Sequence, residues 1–119
     1  MARYRLSEPA KSDIASTLRA SQALHGNEAR IRYRGLLTAA LRRIAASPEG
    51  ISTVDRSALF TGLRSFHIRH ARAESREARV GEPVHVIFYR ALQPGLIEIV
   101  RVLHERMEPG LHLGKTGAD

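Results

Sequence analysis

Residues Val84 to Leu103 constrain the fold more than any other stretch, because they read as two β-strands joined by a tight turn. Both halves are rich in β-branched and aromatic residues, the types that fit a half-buried sheet surface. The intervening Gln93-Pro94-Gly95-Leu96 predicts a type II turn, since proline presets φ at its second position and glycine accepts the positive φ at its third. The second half is mostly apolar on both of its alternating faces. We therefore expect an interior strand of a sheet that is covered on both sides.

The residues before this hairpin predict one short strand and then two helices. Arg3 to Leu6 is the first strand, and Ser7 is the expected N-cap of a helix that ends near Gly26. Asn27 is the expected cap of a second helix, which Ser47-Pro48 ends. Because so short a connection separates them, the two helices are expected to be antiparallel neighbours.

The remaining segments complete a β-α-α-β-β-β order. Glu49 to Gly62 reads as a loop, Leu63 to Ile68 as a strand, and the charged stretch Arg69 to Glu82 as a mobile, solvated loop. The tail from His104 to Asp119 carries three glycines and predicts at most a short helix, with Glu108-Pro109-Gly110 ending regular structure before a frayed end. The fold class is α+β, one domain over residues 1–119, with the helical hairpin on one face of an antiparallel sheet. The second apolar face is covered by the tail or by another chain.

Composition excludes several classes of protein. A hydrophobic content of 43% excludes a mainly disordered chain, and no apolar run approaches the ~20 residues that span a bilayer. No apolar segment near the N-terminus resembles a signal peptide, so we expect a cytoplasmic protein. The absence of cysteine excludes thiolate metal sites and thiol nucleophiles. The net charge of +7 favours an acidic partner.

The order of these elements, with the residues in them, resembles the ParE/RelE superfamily of type II toxin–antitoxin toxins, and ParE most. The terminal hairpin carries the most specific part of the resemblance, and the long Arg69 to Glu82 insertion is the departure from it. The matching segments are Tyr4-Arg5-Leu6-Ser7, Ala10 with Asp13-Ile14, Leu36-Leu37 through Leu41, Ile44, Ser47-Pro48, Gly62 to Phe66, Val86 to Arg90, and Ile97 to His104.

The resemblance implies a toxin held inactive by a ParD-like antitoxin with an acidic, amphipathic C-terminal segment. It implies no cofactor, no membrane association and no sequence-specific DNA binding by this chain. We expect the antitoxin helix to contact Leu18, Tyr33 and Leu37 near the helical hairpin, with Arg64 and Arg90 pairing its acidic groups.

ParE members of the family are associated with DNA gyrase, whereas RelE members cut mRNA on the ribosome. A nuclease needs a base, an acid and cations for the transition-state phosphate. Here His104 is the one plausible acid or base, with Arg64, Arg90 and Arg101 as cations. The alternative for His104 is a solvated residue at a strand end, and a third reading of the whole chain is an inert pairing module.

We expect a non-enzymatic toxin that grips its target through the C-terminal end of the last strand. The residues predicted to bind the target are Arg101, His104, Arg106 and Met107, a basic surface with one apolar anchor.

Two further clusters are less informative. His67 and His85 are predicted to face each other on neighbouring strands, but they lack a further ligand, so no metal site is expected. The run Arg69, Arg72, Arg76, Arg79 reads either as a solvated loop or as a contact with antitoxin or target.

Overall fold

The computed structural model describes residues 2–77 and 79–113, which form two long helices and a five-stranded sheet. The predicted α+β class is confirmed, and no helix within those two ranges is long and apolar enough to cross a membrane. The elements in chain order are β1 (Arg3–Leu6), α1 (Glu8–His25), α2 (Asn27–Ala46), β2 (Thr53–Asp55), β3 (Arg64–His67), a 3-10 helix (Ile68–Glu74), β4 (His85–Gln93), β5 (Leu96–His104) and α3 (Pro109–Leu113).

The strands lie in the order β1-β5-β4-β3-β2. β1 runs parallel to β5, while every other neighbouring pair is antiparallel. The sheet is therefore mixed rather than wholly antiparallel. β2 lies inside the stretch that the sequence predicts as a loop, because three residues are too few to give a periodic signal.

Local capping chemistry sets the limits of the helical hairpin. Ser7 caps α1 as predicted: its Oγ accepts a hydrogen bond from Ala10 N at 3.1 Å and donates one to Val100 O at 2.8 Å. Gly26 ends α1 with a φ of +93°, which favours glycine. The predicted cap at Asn27 is wrong, because α2 starts at once and Gly26 occupies the cap position without any side-chain hydrogen bond.

The main core lies between the helical hairpin and the sheet. Each large side chain buried there stabilises the fold by about 1.5–3 kcal/mol relative to exposure. The 3-10 helix also contributes, so the core reaches beyond the two long helices. Its most deeply buried members are Ala10, Leu36, Ala40, Ile44, Phe66, Ile68, Ala71, Ile87, Tyr89, Ile97 and Ile99.

The opposite face of the sheet carries a smaller apolar cluster that includes Leu113 of α3. The tail thus covers part of this face, which is one of the two predicted alternatives. Pro109 does not stop regular structure but begins α3, a position in the first turn where proline is well tolerated. The predicted frayed end, residues 114–119, lies outside the part of the chain that the structure describes. The cluster consists of Leu63, Phe88, Val100, Leu103 and Leu113.

The insertion between β3 and β4 begins as an ordered element. The predicted mobile loop is wrong for residues 69–74, where the 3-10 helix buries Ile68 and Ala71 against the core. Arg43 of α2 pairs with Glu74 at 2.5 Å and fastens the 3-10 helix to α2. Charged residues interleaved with alanine give no clear helical stripe, so the sequence did not reveal this element.

The terminal hairpin follows the sequence closely. Gly95 has a φ of +80°, the value that the third position of a type II turn requires. The β4–β5 register shifts between Phe88 and Tyr89, which leaves Val100 without an opposite residue. Such a bulge bends the strand and re-aims the side chains that follow it. The bulge therefore lies just before the last residues of β5 and affects the direction of their side chains.

Candidate functional site

A hollow of about 340 Å³ lies where β5 ends and the chain turns towards α3. We call it the C-terminal hollow. Apolar side chains from β4 form one part of its wall, and the charged turn after β5 forms another. Its lining residues are Arg56, Val86, Phe88, His104, Glu105, Arg106, Met107, Glu108 and Pro109.

Three of the four residues predicted to bind the target line this hollow. Met107 is 45% exposed, and Arg106 lies beside it on the turn. His104 shapes the turn, because its Nδ1 accepts a hydrogen bond from Arg106 N at 3.1 Å and its backbone oxygen accepts one from Met107 N at 2.9 Å. One ring nitrogen of His104 is thereby occupied by the backbone. The position of Arg106 and Met107 depends on the end of β5.

Arg101 is placed differently from the other three. Its Nε and Nη2 donate to the two carboxylate oxygens of Asp13 at 2.7 and 2.9 Å, and its Nη1 donates to His112 O at 3.3 Å. Hydrogen bonding to Asp13 raises the pKa of Arg101. Only 18% of its side chain is exposed, so the expectation of an exposed Arg101 at the strand end is wrong. It joins α1, β5 and α3.

A polar cluster around His85 lies between the helical hairpin and the sheet, next to the hollow. Tyr33 Oη lies 2.6 Å from His85 Nδ1, and Thr17 Oγ1 lies 3.3 Å from His85 Nε2. The ring of His104 meets that of His85 edge-on, with centroids 5.6 Å apart. The predicted pairing of His85 with His67 is wrong, because the register of the sheet places His85 opposite His104.

The protons of this cluster can be assigned from its partners. Tyr33 Oη accepts a hydrogen bond from Val84 N at 3.1 Å, so its own proton points to His85 Nδ1. Burial, reinforced by the neighbouring His104, lowers the pKa of His85 to about 4. The ring is therefore neutral at pH 7, with its proton on Nε2 towards Thr17. Burial also raises the pKa of Tyr33, which keeps its hydroxyl protonated.

His67 has a different partner and lies on the opposite face of the sheet from His85, because it pairs with Val86. Its Nε2 lies 2.7 Å from Glu105 Oε1, and its Nδ1 accepts a hydrogen bond from Arg69 N at 3.1 Å. The hydrogen bond from His67 lowers the pKa of Glu105. Glu105 is thus a carboxylate at neutral pH, and the hollow combines Glu105 and Glu108 with the cations of Arg56 and Arg106.

Arg64, a candidate in both the catalytic and the antitoxin sets, lies far from His104. It pairs with Tyr89, four residues along β4 from the row that holds His85 and His104. That separation is about 13 Å at ~3.3 Å per residue. The Arg64 guanidinium donates a hydrogen bond to Thr53 Oγ1 at 2.8 Å, so it links β3 to β2.

Arg90, the other candidate shared by both sets, is also engaged within the sheet. It lies opposite Glu98 on β5 and pairs with that carboxylate at 3.1 Å. Its guanidinium stands over the ring of Phe60, 5.8 Å from the centroid. Arg90 is therefore one residue further along β4 from His104 than Arg64 is, and its charge is locally balanced.

The apolar residues predicted to contact the antitoxin are not on the surface. Leu18, Tyr33 and Leu37 are all buried in the main core, with at most 9% of each exposed. The helical spacing of apolar residues is the same for a face that binds a partner and for a face that packs in the core. In the structure these three residues pack in the core. A partner cannot use them without opening the helical hairpin.

The site contains residues that sequence reasoning missed. Arg56 lines the hollow, stands over the Phe88 ring at 5.9 Å and donates to Ser65 Oγ at 3.0 Å. It lies in a stretch without periodicity, so no sequence signal marked it. Thr17 also has no distinguishing signal, because its role depends on a contact with His85, 68 residues away.

Metal binding has no support in the geometry. Among residues 2–77 and 79–113, no three His, Cys, Asp or Glu side chains are grouped so that they could hold an ion. The three histidines near the hollow are instead engaged with Tyr33, Glu105 and the backbone of Arg106.

Two comparisons with known proteins agree with this architecture. A family model described as the ParE toxin of the type II toxin–antitoxin system, parDE, matches residues 4–109. The chain is also 34% identical over 112 residues to Toxin ParE1 of Caulobacter vibrioides, which covers 93% of this chain and 97% of that protein. The family match includes α1, α2, the terminal hairpin and the hollow. The chain therefore belongs to the ParE toxin family of type II toxin–antitoxin systems.

Proposed function

We propose that this toxin acts by binding a protein target, DNA gyrase, rather than by cutting RNA. The observation that carries the proposal is the separation of His104 from the arginines of the catalytic set. A nuclease needs its cations to converge with the acid or base on one phosphate. Here Arg64, Arg90 and Arg101 are engaged by Thr53, Glu98 and Asp13, respectively, at different places in the fold.

The C-terminal hollow has the composition of a protein-binding surface. Met107, which is 45% exposed, and the partly exposed Val86 offer apolar area beside the guanidiniums of Arg56 and Arg106. A target that inserts an apolar side chain and presents a carboxylate at the rim would gain both a desolvated anchor and charge-assisted hydrogen bonds. The choice of gyrase as the target rests on the resemblance to ParE toxins.

The same proposal includes an antitoxin and a cellular role. With a net charge of +7, the toxin would attract an acidic, ParD-like antitoxin whose disordered arm orders on binding. We place the toxin in the cytoplasm, where its target is found. A toxin–antitoxin pair of this kind would stabilise a plasmid that carries it.

A ribosome-dependent mRNA endonuclease is the competing function, and one observation favours it. His104 shares the hollow with Arg56 and Arg106, so one acid or base lies in the same cavity as two cations. Under that alternative, His104 would exchange a proton with the ribose or with the leaving oxygen.

Two assays of the purified toxin separate these functions. The proposal predicts inhibition of supercoiling in a gyrase reaction and no ribosome-dependent cleavage of mRNA in a translation reaction. Cleavage without gyrase inhibition would establish the nuclease. Inactivity in both assays would overturn both functions and leave a pairing module.

Substitutions in the hollow give a sharper test. His104→Gln keeps an amide that can accept from Arg106 N, so we expect most gyrase inhibition to remain. Arg106→Glu should abolish inhibition, because it replaces a cation that would pair with a carboxylate of the target by a group of like charge. Arg101 is unsuitable for charge reversal, since its loss would disturb the fold.

The matched control is Arg5→Glu, an equal change of net charge on β1 at the opposite end of β5. It should leave inhibition intact. If the toxin cleaves mRNA and His104→Gln lowers that rate by about 10²–10⁴-fold, the usual contribution of a general acid or base, His104 is catalytic.

A further inference from the structure

A second concave surface lies on the far side of α2, where the insertion passes over the helix. It encloses about 180 Å³, comparable with an engineered cavity of ~150 Å³ that takes up one benzene. We call it the basic cleft. Ile31, Thr38 and Ala39 form its less polar part, and charged residues surround them. The lining residues are Ile31, Arg34, Gly35, Thr38, Ala39, Arg42, Glu74, Arg76 and Glu77.

The cleft exists because a glycine in the middle of α2 lets the insertion approach closely. A Cβ at Gly35 would lie 2.5 Å from Glu77 Cγ and 3.1 Å from Ser75 Oγ, too close for either to stay in place. Glycine within a helix costs about 1 kcal/mol relative to alanine. The close approach of residues 75–77 is the packing reason for this glycine.

Other contacts hold the wall of the cleft in place. Arg43 pairs with Glu74, and Arg43 Nη1 also donates to His70 O at 3.2 Å. At the end of the insertion, Arg72 Nη1 donates to the backbone oxygens of Val80 and Gly81. The insertion is thus fastened to α2 at one end and closed on itself at the other. These contacts connect the wall of the cleft to α2 and to the end of the insertion.

The charges in the cleft are unbalanced. Glu74 is already paired with Arg43, which leaves Glu77 as the one other carboxylate among the lining residues. Within the part of the chain that the structure describes, the guanidiniums of Arg34, Arg42 and Arg76 have neither a hydrogen-bond nor an ion-pair partner. Glu77 offsets one of these three positive charges, and the remaining excess favours a bound anion. Guanidinium favours carboxylate in a bidentate geometry.

We propose that the basic cleft is a docking site for an acidic, amphipathic segment of the antitoxin. This inference rests on the proposed neutralisation by an antitoxin, and it places that contact on α2 and the insertion instead of on the buried Leu18, Tyr33 and Leu37. Carboxylates of the segment pair with Arg34, Arg42 and Arg76, while one apolar side chain enters the space beside Ile31 and Ala39. The insertion, which departs from the family pattern, thereby acquires a binding role.

A synthetic peptide tests the site without knowledge of the antitoxin. The probe is a 15-residue amphipathic peptide with leucines on one helical face and glutamates on the other. Its matched control carries glutamine in place of glutamate. We expect the glutamate peptide to shift the amide resonances of Gly35 and Thr38, and to bind more weakly as salt is raised. The glutamine peptide should bind at least about tenfold more weakly, the loss expected when charge-assisted hydrogen bonds disappear.

Variants of the toxin locate the contact. Arg34→Glu and Arg42→Glu are exposed substitutions, and each should weaken binding of the glutamate peptide about tenfold or more. Arg5→Glu changes the net charge equally on β1, which adjoins β5, while the insertion follows β3 on the other side of the sheet. It should leave the affinity nearly unchanged.

Equal losses for Arg5→Glu and Arg34→Glu would reduce the effect to net charge and overturn the docking site. Resonance shifts outside α2 and the insertion would do the same, as would a short DNA duplex binding the cleft more tightly than the peptide. These readouts are independent of gyrase, so a toxin without gyrase inhibition could still bind the peptide at the cleft, and the reverse.

Discussion

His85 is held in a place where its charged form is disfavoured. In the unfolded chain its pKa is close to the ordinary value of 6.5, whereas burial lowers it to about 4 in the fold. Between these two values the unfolded state binds more protons, so stability rises with pH. The contribution of His85 is complete above pH 6.5 and is lost as the pH falls towards 4.

We therefore predict that the free energy of unfolding falls by about 1 kcal/mol between pH 7.5 and pH 5. At 1.36 kcal/mol per pKa unit the full shift would give about 2 kcal/mol, and solvent screening at the partly exposed ring roughly halves that value. Urea unfolding at the two pH values measures this loss. His85→Gln keeps an acceptor for Tyr33 and a donor for Thr17 but does not titrate. The stability of this variant should change less over the same pH range. The charged and titratable neighbours of His85 are the same in both proteins, so they do not account for the difference; they are His104, His67, Asp13 and Glu105. Identical pH profiles for the variant and the natural chain would contradict the assignment.

At the scale of elements, the turn between β4 and β5 carries a clear prediction. Gly95 has a φ of +80°, where a β-branched side chain is strained. Gly95→Val should lower the free energy of unfolding by about 1–3 kcal/mol, which is serious for a domain with ~5–15 kcal/mol in total. Thermal or urea unfolding would measure the change.

Gly81→Ala is the control for this substitution. Gly81 has no positive φ, and an added Cβ would meet nothing within 4 Å. The free energy of unfolding of the Gly81→Ala variant should differ from that of the natural chain by less than about 0.5 kcal/mol, as for most surface substitutions. A Gly95→Val variant as stable as Gly81→Ala would rule out strain at the turn.

The elements differed in how far the sequence could predict them. The terminal hairpin was predictable because Pro94-Gly95 and the dense β-branched runs act locally. The limits of α1 were predictable for the same reason, through Ser7 and Gly26. β2 and the 3-10 helix were not, because they exist by pairing with β3 and by packing on α2. Tertiary contacts, rather than local preference, decide such short elements.

At the scale of the whole molecule, one ion pair joins distant parts of the chain. Asp13 on α1 receives two hydrogen bonds from Arg101 and a third from Val102 N at 2.9 Å. β1 pairs with β5 only as far as Ile99. Beyond that point the Asp13 carboxylate replaces β1 as the hydrogen-bond acceptor for the backbone N–H of Val102. Arg101 also donates a hydrogen bond to His112 O, which fastens α3 next to Leu113 of the second apolar cluster.

Asp13→Ala should destabilise the protein by about 3 kcal/mol, because it leaves a largely buried guanidinium and a backbone donor unpaired. Asp13→Asn keeps an acceptor for Val102 N and should cost less. Denaturant unfolding of both variants measures the difference. A natural control is Glu8→Ala, which removes an exposed pair with Lys11 and should cost well under 1 kcal/mol. Equal losses at positions 8 and 13 would show that the Arg101 pair has no special weight.

The candidate site was less predictable than the fold, because it depends on contacts between residues that are far apart in the chain. Sequence places His104, Arg106 and Met107 together because they are neighbours along the chain, and the hollow contains all three. It cannot place Arg56 beside them, nor can it show that Arg101 is occupied by a carboxylate 88 residues away. Exposure is decided by the assembled fold, as the buried Leu18 and Leu37 also illustrate.

The parallel pairing of β1 with β5 has a consequence for the toxin while it is being synthesised on the ribosome. Arg3 is among the first residues to be made, yet its partner Leu96 follows roughly 90 residues later. At about 5–20 residues per second, the ribosome needs roughly 5–20 s to supply the missing strand. Throughout that interval the sheet is incomplete, so the hollow that we propose as the target-binding surface has not yet formed. Under the proposed function, an antitoxin already in the cell would therefore meet this toxin before the toxin could bind its target.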